Sequence, residues 1–301
     1  MFERPDFPIT LLPVGQWSTQ TTTTRYTLDE TLIKQLLIWV QEWAELPIHN
    51  ESTWVQQEVG VPTLIARFDL HPEGKVIELE IRPQGVGTTK QINSRFVDLL
   101  AGVQASWPNF SSVQTERHAK HGCDDHLWLQ RHTLGQEPAE GLVLVRNMTG
   151  ETAANHLASR AVAPVANEGD KSYGEAMGWW QKSYDPQNLP WNEAFVIKPL
   201  AGAKSHSVGI WVPSTSKSRP RGAYTKGKIE TLMRDNGPMW LQPFHQPPVV
   251  ETEQGTRFLM LRPYFGYDIT TGTWHYLGGE YVLGDTLRIH GGPATIFGPL
   301  V

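Results

Sequence analysis

The chain has little of several things. It carries one cysteine, Cys123, in 301 residues. It therefore closes no internal disulfide and reads as a protein of a reducing compartment, here the cytoplasm. It has no apolar run approaching the ~20 residues that cross a bilayer, so no membrane partner is expected. The opening MFERPDFPITLLPVG lacks the basic-then-apolar form of a secretory signal. Basic residues number 26 against 31 acidic ones, a net charge of −5, which argues against a general nucleic-acid binder. No GxxxxGK[ST] or GxGxxG loop occurs, nor a convincing Ser/His/Asp or Cys/His arrangement, so no covalent nucleophile is expected.

What is present is a globular composition, 39% hydrophobic and 19% charged, over a length that suggests about two domains. Twelve tryptophans serve either as core and pocket wall or as exposed platforms for sugars. A helix is predicted over 27–46. Thr27 and Glu30 make a capping-box pattern there, and Leu32, Ile33, Leu36, Leu37, Val40 and Trp43 follow at helical spacing. Strands are predicted at 63–69 and 75–82 around a turn-like LHPEG, and a second helix at 91–104. A polar, irregular stretch at 107–140 leads to a strand at 141–146 and a helix near 149–161, an α/β unit. A linker at 183–192 precedes a strand at 194–199. Later come a basic loop at 213–228 and strands at 239–244, 257–264 and 273–277, with Gly278 and Gly279 at a turn.

Two stretches carry candidate chemistry. In KVIELEIRP, strand alternation sends Ile77, Leu79 and Ile81 to one face and Glu78, Glu80 and Arg82 to the other, with Asp69 across the turn. Three carboxylates on one face repel unless a cation sits among them; either a divalent metal or a solvated face with an arginine partner answers that. In FVIKPLAGAKSHSVGI, Lys198 ends an apolar strand before a loop holding Gly202, Ser205, Ser207 and Gly209. Such a loop can fold over polyphosphate, or can be an ordinary hairpin with one exposed lysine. Arg262 likewise follows an apolar strand, aimed at an anion or at solvent. A third cluster, His118, His121, Cys123 and His126, offers zinc-ligand types at short spacing but no second half-site; a polar loop is the plainer reading.

The order of these pieces resembles the ATP-grasp superfamily. The resemblance rests on the DK of GDKSYGEAMG, the FVIKP strand and its loop, LQPF, and LRPYF with its LGG, all within 165–301. The family's C-terminal metal pair is missing from the tail DTLRIHGGPATIFGPLV. RFDLHPEGKVIELEIRPQG looks like that pair moved upstream, as in circularly permuted members and the glutathionylspermidine-synthetase-like group. The implied fold is α+β or α/β: an ATP-grasp core, a permuted hairpin and a small pre-ATP-grasp-like unit. The implied division is an N-terminal segment 1–105 carrying the hairpin at 63–82, an α/β unit at 106–165 and a nucleotide-binding region at 166–301. By resemblance, Lys171, Lys198, Gly202, Ser205, Ser207, Gly209 and Gln242 bind ATP. Asp69, Glu78 and Glu80 hold magnesium, and Arg262 and Arg82 are the catalytic arginines.

The implied reaction is ATP- and magnesium-dependent joining of a small-molecule or peptide carboxylate to an amine, or to a thiol, through an acyl phosphate. Two positions depart from the family pattern: Glu80 stands where asparagine is usual, and Val282 lies where an arginine often follows the glycines. They motivate the alternative of an inactive nucleotide- or partner-binding protein. Zinc-binding and carbohydrate-binding proteins are the remaining alternatives.

Overall fold

A computed structural model describes residues 20–47, 54–80, 86–108, 110–114, 132–134, 142–145, 171–183, 185–200, 208–213, 220–289 and 294–301. Across the described residues the fold is α+β, with three sheets and few helices. The largest sheet draws on both ends of the described chain. Its strands are β1 (Gln20–Thr21), β2 (Ile65–Leu70), β3 (Val76–Glu80), β11 (Val249–Thr252), β12 (Gly255–Asp268), β13 (Thr273–Gly284) and β14 (Ile296–Leu300). Their order is β1-β14-β13-β12-β2-β3, with β11 beside the start of β12. A four-stranded antiparallel sheet runs β7-β10-β8-β9. Its strands are β7 (Gln181–Ser183), β8 (Phe195–Pro199), β9 (Gly209–Trp211) and β10 (Met239–Pro243). A short parallel sheet joins β4 (Phe110–Gln114), β5 (His132–Leu134) and β6 (Leu142–Val145).

Alternation along the large sheet separates an apolar face from a mixed one. Ala66, Phe68 and Leu70 of β2 share a face with their partners Leu261 and Phe265 of β12. Helix α1 (Glu30–Ala44) covers that face, where Trp43 meets Trp274 edge-on with ring centroids 6.5 Å apart. The other face carries Met260, Val282 and Phe297, packed with Ile92 from helix α2 (Val86–Ile92). There Phe96 of helix α3 (Ser94–Gln104) lies 5.1 Å from the ring of Tyr264. Between those contacts runs a belt of charged side chains, described below. In the smaller sheet, Ile229 and Met233 of helix α5 (Lys226–Asn236) pack with Phe195, Ile197, Met239 and Leu241.

Four local expectations change. Helix α1 is capped by Asp29, whose carboxylate accepts from the amides of Thr31 at 2.8 Å and Leu32 at 3.2 Å. Glu30 is then the first helical residue, too early to complete a capping box with Thr27. The helix expected at 91–104 is two helices broken at Asn93. The Asn93 side chain accepts from the Phe96 amide at 3.1 Å and donates to the carbonyls of Gly279 and Leu300, both at 2.8 Å. Gly278 and Gly279 lie within β13, not at a turn. Gly278 takes φ +81° where Leu277 bulges out of register. At Gly279 a Cβ would stand 2.1 Å from the Arg262 carbonyl, so only glycine lets the strands meet. Residues 226–228, expected in a loop, begin α5. The helix expected near 149–161 lies outside the described residues.

Candidate functional site

Among the described residues, no strand lies beside the outer edge of β3. Its backbone is met instead by side chains from the segment 171–242. Lys198 donates from Nζ to the Ile77 carbonyl. Gln242 Nε2 donates to the Val76 carbonyl at 2.6 Å. The Tyr173 hydroxyl accepts from the Leu79 amide at 3.1 Å and donates to its carbonyl at 2.9 Å. Helix α4 (Tyr173–Ala176), β8 and β10 supply these groups, so the hairpin β2–β3 is fastened to the smaller sheet. An exposed strand edge is a liability, and these bonds close it.

That docking brings the charged belt together. Asp69 and Glu78 are register partners, as are Arg67 and Glu80, so all four share one face of the hairpin. Arg67 is 2% exposed and contacts Asp69 Oδ1 from Nε at 3.1 Å and Glu80 Oε1 at 2.7 Å. Arg262 approaches the same Asp69 oxygen at 3.3 Å and Glu280 Oε1 at 3.2 Å. Glu280 is fully buried, and its second oxygen accepts from the Thr89 hydroxyl at 2.9 Å. At the hairpin's other side Glu78 binds Lys171 through Oε1 and faces Lys198 at 3.8 Å through Oε2. The Lys198 ammonium also lies 4.8 Å from the centroid of the Trp180 ring. Trp180 in turn donates to the Lys171 carbonyl at 2.8 Å.

The electrostatics follow from burial and neighbours. Burial by itself would raise the Glu78 carboxyl, but Lys171 and Lys198 outweigh it and hold the group at about 2. Burial pushes Lys198 down to about 8, with Glu78 opposing. Burial raises Glu280 against the pull of Arg262 and Arg67. It also raises Glu80, with Arg67 opposing and Asp69 and Glu78 adding to the rise. Four cations, Arg67, Lys171, Lys198 and Arg262, thus stand among four carboxylates, Asp69, Glu78, Glu80 and Glu280. Arg67, Lys171, Lys198, Arg262, Asp69 and Glu280 are buried, and charges that far from water persist only when paired.

The structure brings together Asp69, Glu78, Glu80, Lys171, Lys198, Gln242 and Arg262 from widely separated positions. Arg82, Gly202, Ser205 and Ser207 lie outside the described residues. Gly209 is the first residue of β9, where its missing side chain admits Ile229; a Cβ would sit 2.7 Å from Ile229 Cδ1. That is a packing reason for glycine, separate from the lid role expected of it. Arg67, Glu280, Thr89 and Tyr173 were not singled out from the sequence. Arg67 alone left a local signal, standing two residues before Asp69 on the same strand face.

The three carboxylates expected to share one metal ion are divided among cations. Among the described residues, no group of three His, Cys, Asp or Glu side chains is arranged to hold a metal ion. Glu78 departs furthest from the expectation, because lysines face both its oxygens. Asp69 meets its arginines through Oδ1 and Glu80 meets Arg67 through Oε1. One or two carboxylates completed by phosphate oxygens and water is the common way to hold magnesium, so Asp69 and Glu80 fit an ion that arrives on a polyphosphate. Gln242 adds a buried acceptor at the same place. It is 5% exposed, and its Oε1 has no hydrogen-bond partner among the described residues.

The alternatives meet the structure unevenly. His118, His121, Cys123 and His126 lie outside the described residues. None of the described tryptophans is exposed; the exposed large hydrophobic residue is Ile38. Among the described residues no helix is long and apolar enough to cross a membrane.

No family model matches the chain, and no curated protein matches it. Among solved structures it is similar to a glutathione synthetase like-effector from Globodera pallida in its apo form. That likeness has 10% identity and a TM-score of 0.44, and covers 90% of this chain and 86% of the other. At that TM-score the likeness assigns no activity.

Proposed function

We propose that this chain is an ATP- and magnesium-dependent ligase that activates a small-molecule or peptide carboxylate as an acyl phosphate for attack by an amine or thiol. One observation carries the proposal: Lys171, Lys198, Gln242 and Arg262 converge beside the acidic hairpin, although they come from four separate places along the chain. Bound there, ATP supplies the phosphoryl group, and magnesium offsets the charge of its phosphates.

The protein's own part is positioning and charge neutralisation. Lys171 and Lys198 balance phosphate charge. Arg262, braced by Glu280, faces the transferring phosphoryl group. Gln242 Oε1 accepts from the exocyclic amine of the base. Asp69 and Glu80 would hold the ion. Incubation with ATP, magnesium and pooled carboxylates and amines should release ADP and phosphate, and Lys198→Ala should abolish the release. ATP turnover that is unchanged in Lys198→Ala contradicts the assignment.

A second reading has an observation of its own. The eight charged groups already neutralise one another, as in a junction that binds nucleotide, or a partner, without turning it over. ATP binding without ADP formation across broad substrate pools is the outcome that reading expects.

A further inference from the structure

We infer that Glu78 is a resident counter-ion of the lysine pair, and that it makes the site select multiply charged phosphates over single ones. This rests on reading Lys171 and Lys198 as phosphate-contacting residues. The two ammonium groups are buried, with side chains 8% and 3% exposed, whereas the Glu78 side chain is 28% exposed. The carboxylate is therefore the open side of the clamp and the member with room to leave.

Lys198 does not need Glu78 to stay in place. It keeps the Ile77 carbonyl and the face of Trp180 as partners. The backbone of Glu78 is fixed in β3 by its pairing with Asp69, so only the side chain has to swing. A tethered carboxylate competes with free anions at a high effective concentration. A single phosphate gains little by replacing it. A triphosphate brings more charge than the one it displaces and gains on the exchange. This role is the opposite of metal ligation. A lost metal ligand weakens the binding of the metal–nucleotide complex, whereas a lost competitor strengthens the binding of metal-free anions.

The test is calorimetric titration of the full chain, without divalent metal, using inorganic phosphate and ATP as probes. Wild type is compared with Glu78→Gln and Glu78→Ala, each first checked for an unchanged circular-dichroism spectrum. Both variants should bind phosphate about tenfold more tightly, the scale of one charge-assisted hydrogen bond. The preference for ATP over phosphate should narrow accordingly. Phosphate affinity equal to or below wild type in both variants overturns the inference. The proposed function stands apart from that result. Wild type that binds ATP while the variants gain nothing loses only the counter-ion role. Variants that gain phosphate affinity while wild type binds no ATP keep that role and lose the ligase reading.

Discussion

Glu280 shows what a buried charge is worth at the scale of one residue. It has no exposure, and it gives one oxygen to Arg262 and the other to Thr89. Truncation to alanine strands the Arg262 guanidinium beside a carboxylate already shared with Arg67. Glu280→Ala is expected to cost about 3–5 kcal/mol, the range for breaking a buried ion pair. Glu280→Gln, which keeps one acceptor for Arg262 and can donate from its amide nitrogen to the Thr89 hydroxyl oxygen, should cost less. Urea unfolding midpoints measure both. His245 gives a pH dependence. Partial desolvation of this exposed side chain lowers its pKa below 6.5, with His71 and Lys75 adding to the drop and Glu73 opposing it. The folded state therefore disfavours the charged ring. This group costs nothing above pH 6.5, and a penalty grows as pH falls through that value toward the lower folded one. The melting temperature should fall over that interval, and His245→Gln should flatten this part of the profile.

Elements were legible in the sequence where the signal was local. Alternation over 75–82 placed Glu78 and Glu80 on one face, and the strand ending at Lys198 was read within a residue of where it lies. Signals that depend on distant partners were not legible. Asn93 breaks a helical pattern because it caps α3 while binding two carbonyls far along the chain. The glycine pair looked like a turn because nothing local shows that β12 passes so close to it. At the start of α1 the sequence pattern marks Thr27, whereas the Asp29 carboxylate is what accepts from the amides of the first turn. Asp29→Ala should therefore cost about 1 kcal/mol of stability, while Thr27→Ala stays within ±0.5 kcal/mol. Thermal melts of the two variants separate the assignments.

At the scale of the molecule, strands from residues 65–80 complete a sheet whose other members come mainly from 249–300. The hairpin's face and the β8–β10 residues can form one site only because β3 docks edge-on against the smaller sheet. Single strands announced their charged residues. They did not announce that Lys171, Lys198 and Gln242 would anchor that edge, since the docking is a contact between sheets. Glu280 looks like a surface charge for the same reason, until β2, β12 and β13 lie side by side.

A nucleotide site at this junction is the central proposal. Calorimetric titration of the full chain with ATP and magnesium tests it most directly, with Lys198→Ala alongside. Wild type should bind saturably and one to one, and Lys198→Ala about tenfold or more weakly, the loss of one charge-assisted contact. No binding by wild type, or equal binding by the two proteins, would contradict it.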